Sequence, residues 1–241
     1  MADAGAFKDA SERISLVVSD VDGTVVTPDK LVAPSTIAAA QELRRAGIHL
    51  AAVSSRPPRG MANVARALDL EVFAGFNGAV LVDADLTPLE ENFVPVDAAE
   101  AAVAGLRAAG ADIWVFAGDD WLVTDLGGEY VAHERRTIGF EPTLVRDFDG
   151  RLARVGKIVG ASSDFAMLEA LEAELSSKLG KRAVARRSQR YYLDVTHPTA
   201  DKGHAVRAFA RHWGVPLEEV AVLGDQANDL PMFTVAGLTE P

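Results

Sequence analysis

Apolar positions along this chain fall into short unbroken runs that alternate with longer amphipathic stretches. Ile14 to Ser19 is the first run, and Ile48 to Val53 and Glu71 to Phe73 follow as further strands. Continuous apolar runs of this length are typical of parallel strands buried on both faces. Between them the spacing predicts a helix over Ser35 to Ala46, with Ser35 as N-cap and Gly47 as the stop, and a second helix over Met61 to Leu68. Strand and helix units alternating in this way predict a doubly wound, Rossmann-like α/β domain.

After Phe76-Asn77-Gly78-Ala79 the pattern changes. Ala79 to Val82 and the segment around Leu89 suit a hairpin. Asp97-Ala98-Ala99-Glu100 reads as a capping box opening an Ala-rich helix that ends at Gly110. Strands are expected at Ile113 to Phe116, Trp121 to Thr124, Lys157 to Val159, Ala183 to Arg186 and Tyr191 to Val195, with a helix over Asp164 to Leu179. This mixed section reads as an α/β cap domain, residues 81–189, inserted into a core made of residues 1–80 and 190–241. The core resumes with a helix from Lys202 to about His212, stopped by Gly214, and a strand over Val220 to Leu223.

Composition narrows the partners. The 241 residues carry 24 Lys plus Arg against 35 Asp plus Glu, a formal net charge of −11. That balance disfavours nucleic acid and anionic membranes, but it does not exclude a small phosphorylated metabolite, because one local cation can dominate a cleft. There is no cysteine, hence no disulfide, thiolate nucleophile or Cys-ligated zinc. Met1 to Arg13 includes Asp3, Asp9 and Glu12 and lacks the apolar run of a secretory leader. No stretch reaches the roughly 18–20 apolar residues of a membrane span, so a cytoplasmic enzyme is expected. No feature specifies an oligomeric state.

The candidate chemistry sits in four short motifs at expected strand or helix ends. Asp20-Val21-Asp22-Gly23-Thr24 ends the first strand, where open α/β sheets place their ligand crevice. Val53-Ser54-Ser55-Arg56 ends the second; Ser54 is preferred over Ser55 because it directly follows the apolar run. Asp201-Lys202-Gly203 opens a helix, and a Lys there opposes the helix dipole, which points to a compensating role. Gly224-Asp225-Gln226-Ala227-Asn228-Asp229 follows the strand at Val220 to Leu223 and crowds acids that repel one another without a cation. Singly, each suits an ordinary turn or surface position; together they supply what metal-assisted phosphoryl transfer requires.

This set, in this order, resembles the haloacid dehalogenase-like (HAD-like) hydrolases, and within them the Cof-type sugar-phosphate phosphatases with a class IIB cap. The resemblance implies Asp20 as nucleophile and Asp22 as general acid and base. Ser54, Lys202 and Asn228 would contact phosphate or substrate. Mg2+ would be held by Asp20, the Asp22 carbonyl and Asp225, with Asp229 supporting the metal site or Lys202. The implied activity is hydrolysis of a small phosphate monoester through an aspartyl-phosphate. Two alternatives stand beside it: phosphoryl transfer to a second sugar hydroxyl, as in phosphomannomutase-like members, and an inactive metal-binding protein. The latter arises because the chain stops 12 residues after Asp229, which predicts an exposed edge at Val220 to Leu223.

Weaker candidates are Asn77 and Gly78 where the chain leaves the core, and Asp194 and Thr196 where it returns. Trp114, Trp121, His133, Arg186, Arg187 and Arg190 in the cap could recognise a sugar or acid, although packing or a solvated face is the commoner fate of such residues. His49, inside an apolar strand, is expected to be a core residue.

Overall fold

The fold was analysed in a computed structural model that describes residues 14–240. The reading of Met1 to Arg13 as no leader lies outside those residues. The described chain divides into two compact units, one running to Glu90 and resuming at Asp201, the other spanning Glu91–Ala200.

In the first unit, strands β1 (Leu16–Ser19), β2 (His49–Val53), β3 (Val72–Gly75), β4 (Val80–Asp83) and β5 (Pro88–Glu91) alternate with helices α1 (Pro34–Arg45) and α2 (Pro58–Leu68). The second unit contributes α3 (Val96–Ala108), β6 (Asp112–Ala117), β7 (Asp120–Val123), α4 (Val131–Ile138), β8 (Thr143–Leu144), β9 (Val155–Ala161), α5 (Phe165–Leu179), β10 (Val184–Gln189) and β11 (Tyr192–Thr196). The chain then returns through α6 (Lys202–Trp213), β12 (Val220–Leu223), α7 (Leu230–Phe233) and β13 (Leu238–Glu240).

The first sheet runs β13-β12-β1-β2-β3-β4-β5. The pairs from β13 to β3 are parallel and the β3–β4 pair is antiparallel. Leu16 and Val18, Ala51 and Val53, and Val220 and Val222 pack with Ala205, Val206 and Phe209 of α6. The intervening Val17, Ala52 and Phe73 are buried as well, so the strands read as continuous apolar runs because both faces are covered. Strand β12 lies between β1 and β13, its Ala221 in register with Leu238. The exposed edge expected at Val220 to Leu223 is therefore corrected: β13 takes that edge.

The second sheet runs β10-β11-β9-β6-β7-β8 and is antiparallel except for β7–β8. Helices α3 and α5 cover one face, Leu106, Leu168 and Leu175 meeting Ile113, Val115, Ile158 and Leu193. The opposite face carries Trp114, Trp121 and Tyr192, whose rings meet edge to face.

Several local expectations shift for identifiable reasons. Pro34 is itself the first residue of α1 and no side chain caps that helix, so Ser35 is not the N-cap; proline's fixed φ suits the first turn. Helix α2 likewise begins at a proline, Pro58. Helix α3 starts at Val96 without a capping box, and the Asp97 carboxylate pairs with Arg182 instead. The units divide after Glu90 and Ala200 rather than at 80 and 190. Strand β4 joins the first sheet through β3, whereas β11 bonds to β9 and β10 in the second. Asp194 and Thr196 accordingly belong to the second sheet. Among the described residues no helix is long and apolar enough to cross a membrane.

Candidate active site

Parallel strands β1, β2 and β12 end on the same edge of the first sheet, and the chemistry collects there. The Asp20 backbone N–H donates to the Leu223 carbonyl at 2.9 Å, so the ends of β1 and β12 are tied together. Beyond Asp20 the chain makes a tight turn, with Val25 and Val26 N–H groups both donating to the Val21 carbonyl at 3.0 Å. Gly23 is required in that turn. Its φ is +98°, and a Cβ there would lie 2.3 Å from Asp225 Oδ2. The Thr24 hydroxyl donates to Asp225 Oδ1 at 3.2 Å.

Asp20 is almost fully buried, as is Lys202, whose ammonium donates to Asp20 Oδ1 and, at 2.6 Å, to Asp229 Oδ1. The Lys is delivered by the first turn of α6, which Asp201 caps by accepting from the His204 N–H at 2.9 Å. The other oxygen of Asp229 accepts from the backbone N–H groups of Asp225, at 3.0 Å, and Gln226, at 2.9 Å. Asp229 therefore holds the acidic loop and Lys202 together. Carboxylate oxygens of Asp20, Asp225 and Asp229 lie within 4.8 Å of one another. Three carboxylates against one ammonium leave a net negative charge, and all the donors are oxygens, a set that fits a hard divalent cation. With both Asp229 oxygens already engaged by protein donors, Asp20 and Asp225 are the better placed ligands.

Burial pushes the Asp20 carboxyl up to about 6, against the opposing pull of Lys202 and with a further push from Asp229. Asp22 moves the other way. Burial would raise it, but the Arg56 and Lys30 cations together outweigh burial and hold it below the ordinary carboxylate range. Arg56 grips it bidentately, Nε to Oδ2 at 2.7 Å and Nη2 to Oδ1 at 2.6 Å, while Lys30 Nζ sits 2.7 Å from Oδ1.

Ser54 is buried at the end of β2, and its hydroxyl accepts from the Arg56 N–H at 3.2 Å. Asn77, in the left-handed region with φ 56°, donates its N–H to the Ser54 carbonyl, and its side chain accepts from Asn228 Nδ2 at 3.3 Å. Asp20, Asp22, Ser54, Asn77, Lys202, Asp225, Asn228 and Asp229 thus all belong to one unit and interlock through these contacts. Sequence reasoning assigned no role to three residues whose side chains bond to the Asp22 and Asp225 carboxylates. Arg56 and Thr24 stood inside quoted motifs, where a bond partner could have been sought. Lys30 lies in a loop with no motif.

The remaining candidates, apart from His49 and Gly78 of the first unit, belong to the second unit, engaged in contacts of its own. Asp194 lies 3.9 Å from Lys157, and burial raises its carboxyl. Arg187 pairs with Glu172 at 2.9 Å, Arg190 stands over the Phe165 ring at 4.7 Å, and His133 meets the edge of Tyr191. Thr196 is buried, and Arg186 is exposed. His49 departs from expectation: half-buried, it stacks on Trp213 at 4.7 Å.

Gly23→Ala tests the turn. The new methyl must displace Asp225 or unwind a left-handed residue, which costs about 1–3 kcal/mol. The variant is expected to unfold at a lower urea concentration, losing about that much stability, since either Asp225 or the turn must move. A urea midpoint unchanged from the parent chain would disprove this.

Comparison with known proteins agrees with the architecture. Residues 17–239 match the family model described as haloacid dehalogenase-like hydrolase. An HMP-PP phosphatase of Cronobacter sakazakii is 28% identical over 227 residues, covering 90% of this chain and 80% of that protein. A haloacid dehalogenase-like hydrolase from Bacteroides thetaiotaomicron superposes with a TM-score of 0.86 at 24% identity, over 93% of this chain and 86% of that one. A HAD subclass IIB sugar phosphatase superposes with a TM-score of 0.78 at 19% identity, over 93% and 86% respectively. With nearly its whole length matched by the family model and the four motifs gathered at one sheet edge, the chain belongs to the haloacid dehalogenase-like hydrolases.

Proposed function

We propose that this protein is a Mg2+-dependent phosphatase that hydrolyses a small phosphate monoester through an aspartyl-phosphate on Asp20. The observation that carries the reading is the buried Asp20 carboxylate, held by Lys202 beside Asp225 and Asp229 at the end of β1. The names of the similar proteins, an HMP-PP phosphatase and a sugar phosphatase, support a phosphorylated metabolite as substrate.

Asp20 attacks phosphorus with one carboxylate oxygen, and the bond to the leaving alcohol breaks as the protonated form of Asp22, a minor one beside Arg56 and Lys30, supplies the proton. The same Asp22 then takes a proton from water as that water attacks phosphorus, and the Asp20–phosphorus bond breaks. Lys202 keeps Asp20 in place and offsets charge on the phosphoryl group. Ser54 and Asn228 are the hydroxyl and amide available to its oxygens. Mg2+ held by Asp20, Asp225 and the Asp22 carbonyl would neutralise phosphate charge as a Lewis acid.

The test is free-phosphate release from a panel of sugar phosphates, phosphorylated acids and HMP-PP. Release is expected with Mg2+, falling to background in EDTA and inhibited by Ca2+, which prefers more ligands and longer bonds. Undiminished release in EDTA would refute metal dependence, and release from no ester would refute the phosphatase reading. An absolute requirement for a bisphosphate activator would favour the mutase alternative.

A further inference from the structure

We propose that Lys30 is a positioning residue for Asp22, holding its Oδ1 so that Oδ2 is the atom that exchanges the proton; this rests on the phosphatase reading above. Two observations carry it.

The first is how the Asp22 carboxylate is occupied. Each carboxylate oxygen has two acceptor positions. Oδ1 takes the Lys30 ammonium at 2.7 Å and Arg56 Nη2 at 2.6 Å, which fills it. Oδ2 takes Arg56 Nε at 2.7 Å, which among the described residues leaves it one position open. Arg56 is buried and holds both oxygens alike, so it does not distinguish them. Lys30 does.

The second is the loop that delivers Lys30. Thr27 N–H donates to the Leu31 carbonyl at 2.9 Å, Lys30 N–H donates to the Thr27 carbonyl at 2.8 Å, and Val26 bridges Val32 antiparallel. This small hairpin starts directly after the Asp20–Asp22 turn and folds back on it, Asp22 itself bridging Val26. Lys30 has φ 63°, the left-handed region that a long L side chain rarely adopts. A strained residue whose side chain reaches a reacting group is the arrangement expected where geometry serves chemistry.

In the first step the phosphorus–oxygen bond to the leaving group breaks, and the proton on Oδ2 passes to the leaving oxygen. In the second, water attacks phosphorus and returns a proton to Oδ2. Without Lys30, each carboxylate oxygen keeps one Arg56 contact and one open position, so the proton can sit on either and fewer encounters are aligned. Only leaving groups that need a proton should register the loss.

The experiment compares kcat/KM, which reports the first step, for a sugar phosphate with an alkyl leaving group and for 4-nitrophenyl phosphate. The variants are Lys30→Met, Lys30→Gly and Lys30→Arg. Glycine accepts the left-handed backbone, so its loss is of the ammonium and not of the hairpin. For Met and Gly, kcat/KM is expected to fall about tenfold or more on the alkyl ester and less than about threefold on 4-nitrophenyl phosphate, with Arg restoring most of it. Equal falls on both esters in folded Gly and Met variants would make Lys30 merely structural and overturn the proposal. So would full activity on both, or no recovery with Arg. A parent chain that hydrolyses neither ester overturns the phosphatase reading and this inference with it, whereas parallel losses in an active parent overturn the inference alone.

Discussion

Asp20→Asn is expected to lower phosphate release by about four orders of magnitude or more, as removal of a covalent nucleophile does elsewhere. The amide matches the carboxylate in volume and its oxygen can still accept from Lys202, so the loss is of nucleophilicity. The fold should survive, and at neutral pH without metal it should be at least as stable. Asp20 is pushed by burial from its ordinary value to about 6. A raised carboxyl favours the neutral form in the folded state. Its contribution is present below about pH 4 and is lost as pH rises through about 6. Asparagine is neutral throughout, so the variant should gain on the parent between pH 4 and pH 7, by up to about 3 kcal/mol for a two-unit shift. Urea denaturation of both proteins in chelator across that range measures the gap. A variant that retains the parent rate sinks the nucleophile assignment, and a gap that closes as pH rises sinks the electrostatic argument.

What could be read in the sequence, and what could not, follows from where each interaction is encoded. The sheet edge carrying the site was legible because β1, β2 and β12 are apolar runs ended by polar motifs, and a parallel sheet brings such ends to one side. Lys202, which opens a helix and ends no strand, reaches Asp20 across 182 residues, and only the family resemblance pointed to that pairing. Boundaries that depend on strand pairing were not legible. Nothing in Tyr192–Thr196 states that it bonds to β9 rather than to the first sheet, and the short β13 shows no periodicity from which an edge strand could be read. Helix α4 begins without a side-chain cap, so its start carries no signal. Capping rules misplaced Asp97 because Arg182, distant in sequence, competes for its carboxylate. In the site, Lys30 was invisible for a related reason: its reach to Asp22 depends on a left-handed turn that a lysine does not advertise.

Lys202→Met should both inactivate the protein and destabilise it strongly, and its pairing with Asp229→Asn shows why. Lys202 is 1% exposed and its ammonium lies between the Asp20 and Asp229 carboxylates. Methionine fills most of the space but leaves two buried carboxylates facing each other without a counter-charge. Breaking a buried pair in this way costs about 3–5 kcal/mol. The uncompensated carboxylates are raised, so the deficit should be larger at pH 8 than at pH 5, where protonation relieves it. Asp229→Asn alone is also costly. Its single carbonyl oxygen cannot serve both Lys202 and the Asp225 and Gln226 N–H groups, which the two carboxylate oxygens now share. If the two residues act on each other, the double variant loses less than the sum of the single losses, because the neutral amide no longer carries the charge that Lys202 balanced. A coupling of at least about 1 kcal/mol is expected from a denaturant double-mutant cycle in chelator. Additive losses would mean that Lys202 is held by Asp20 and its helix alone, and that Asp229 serves only the loop.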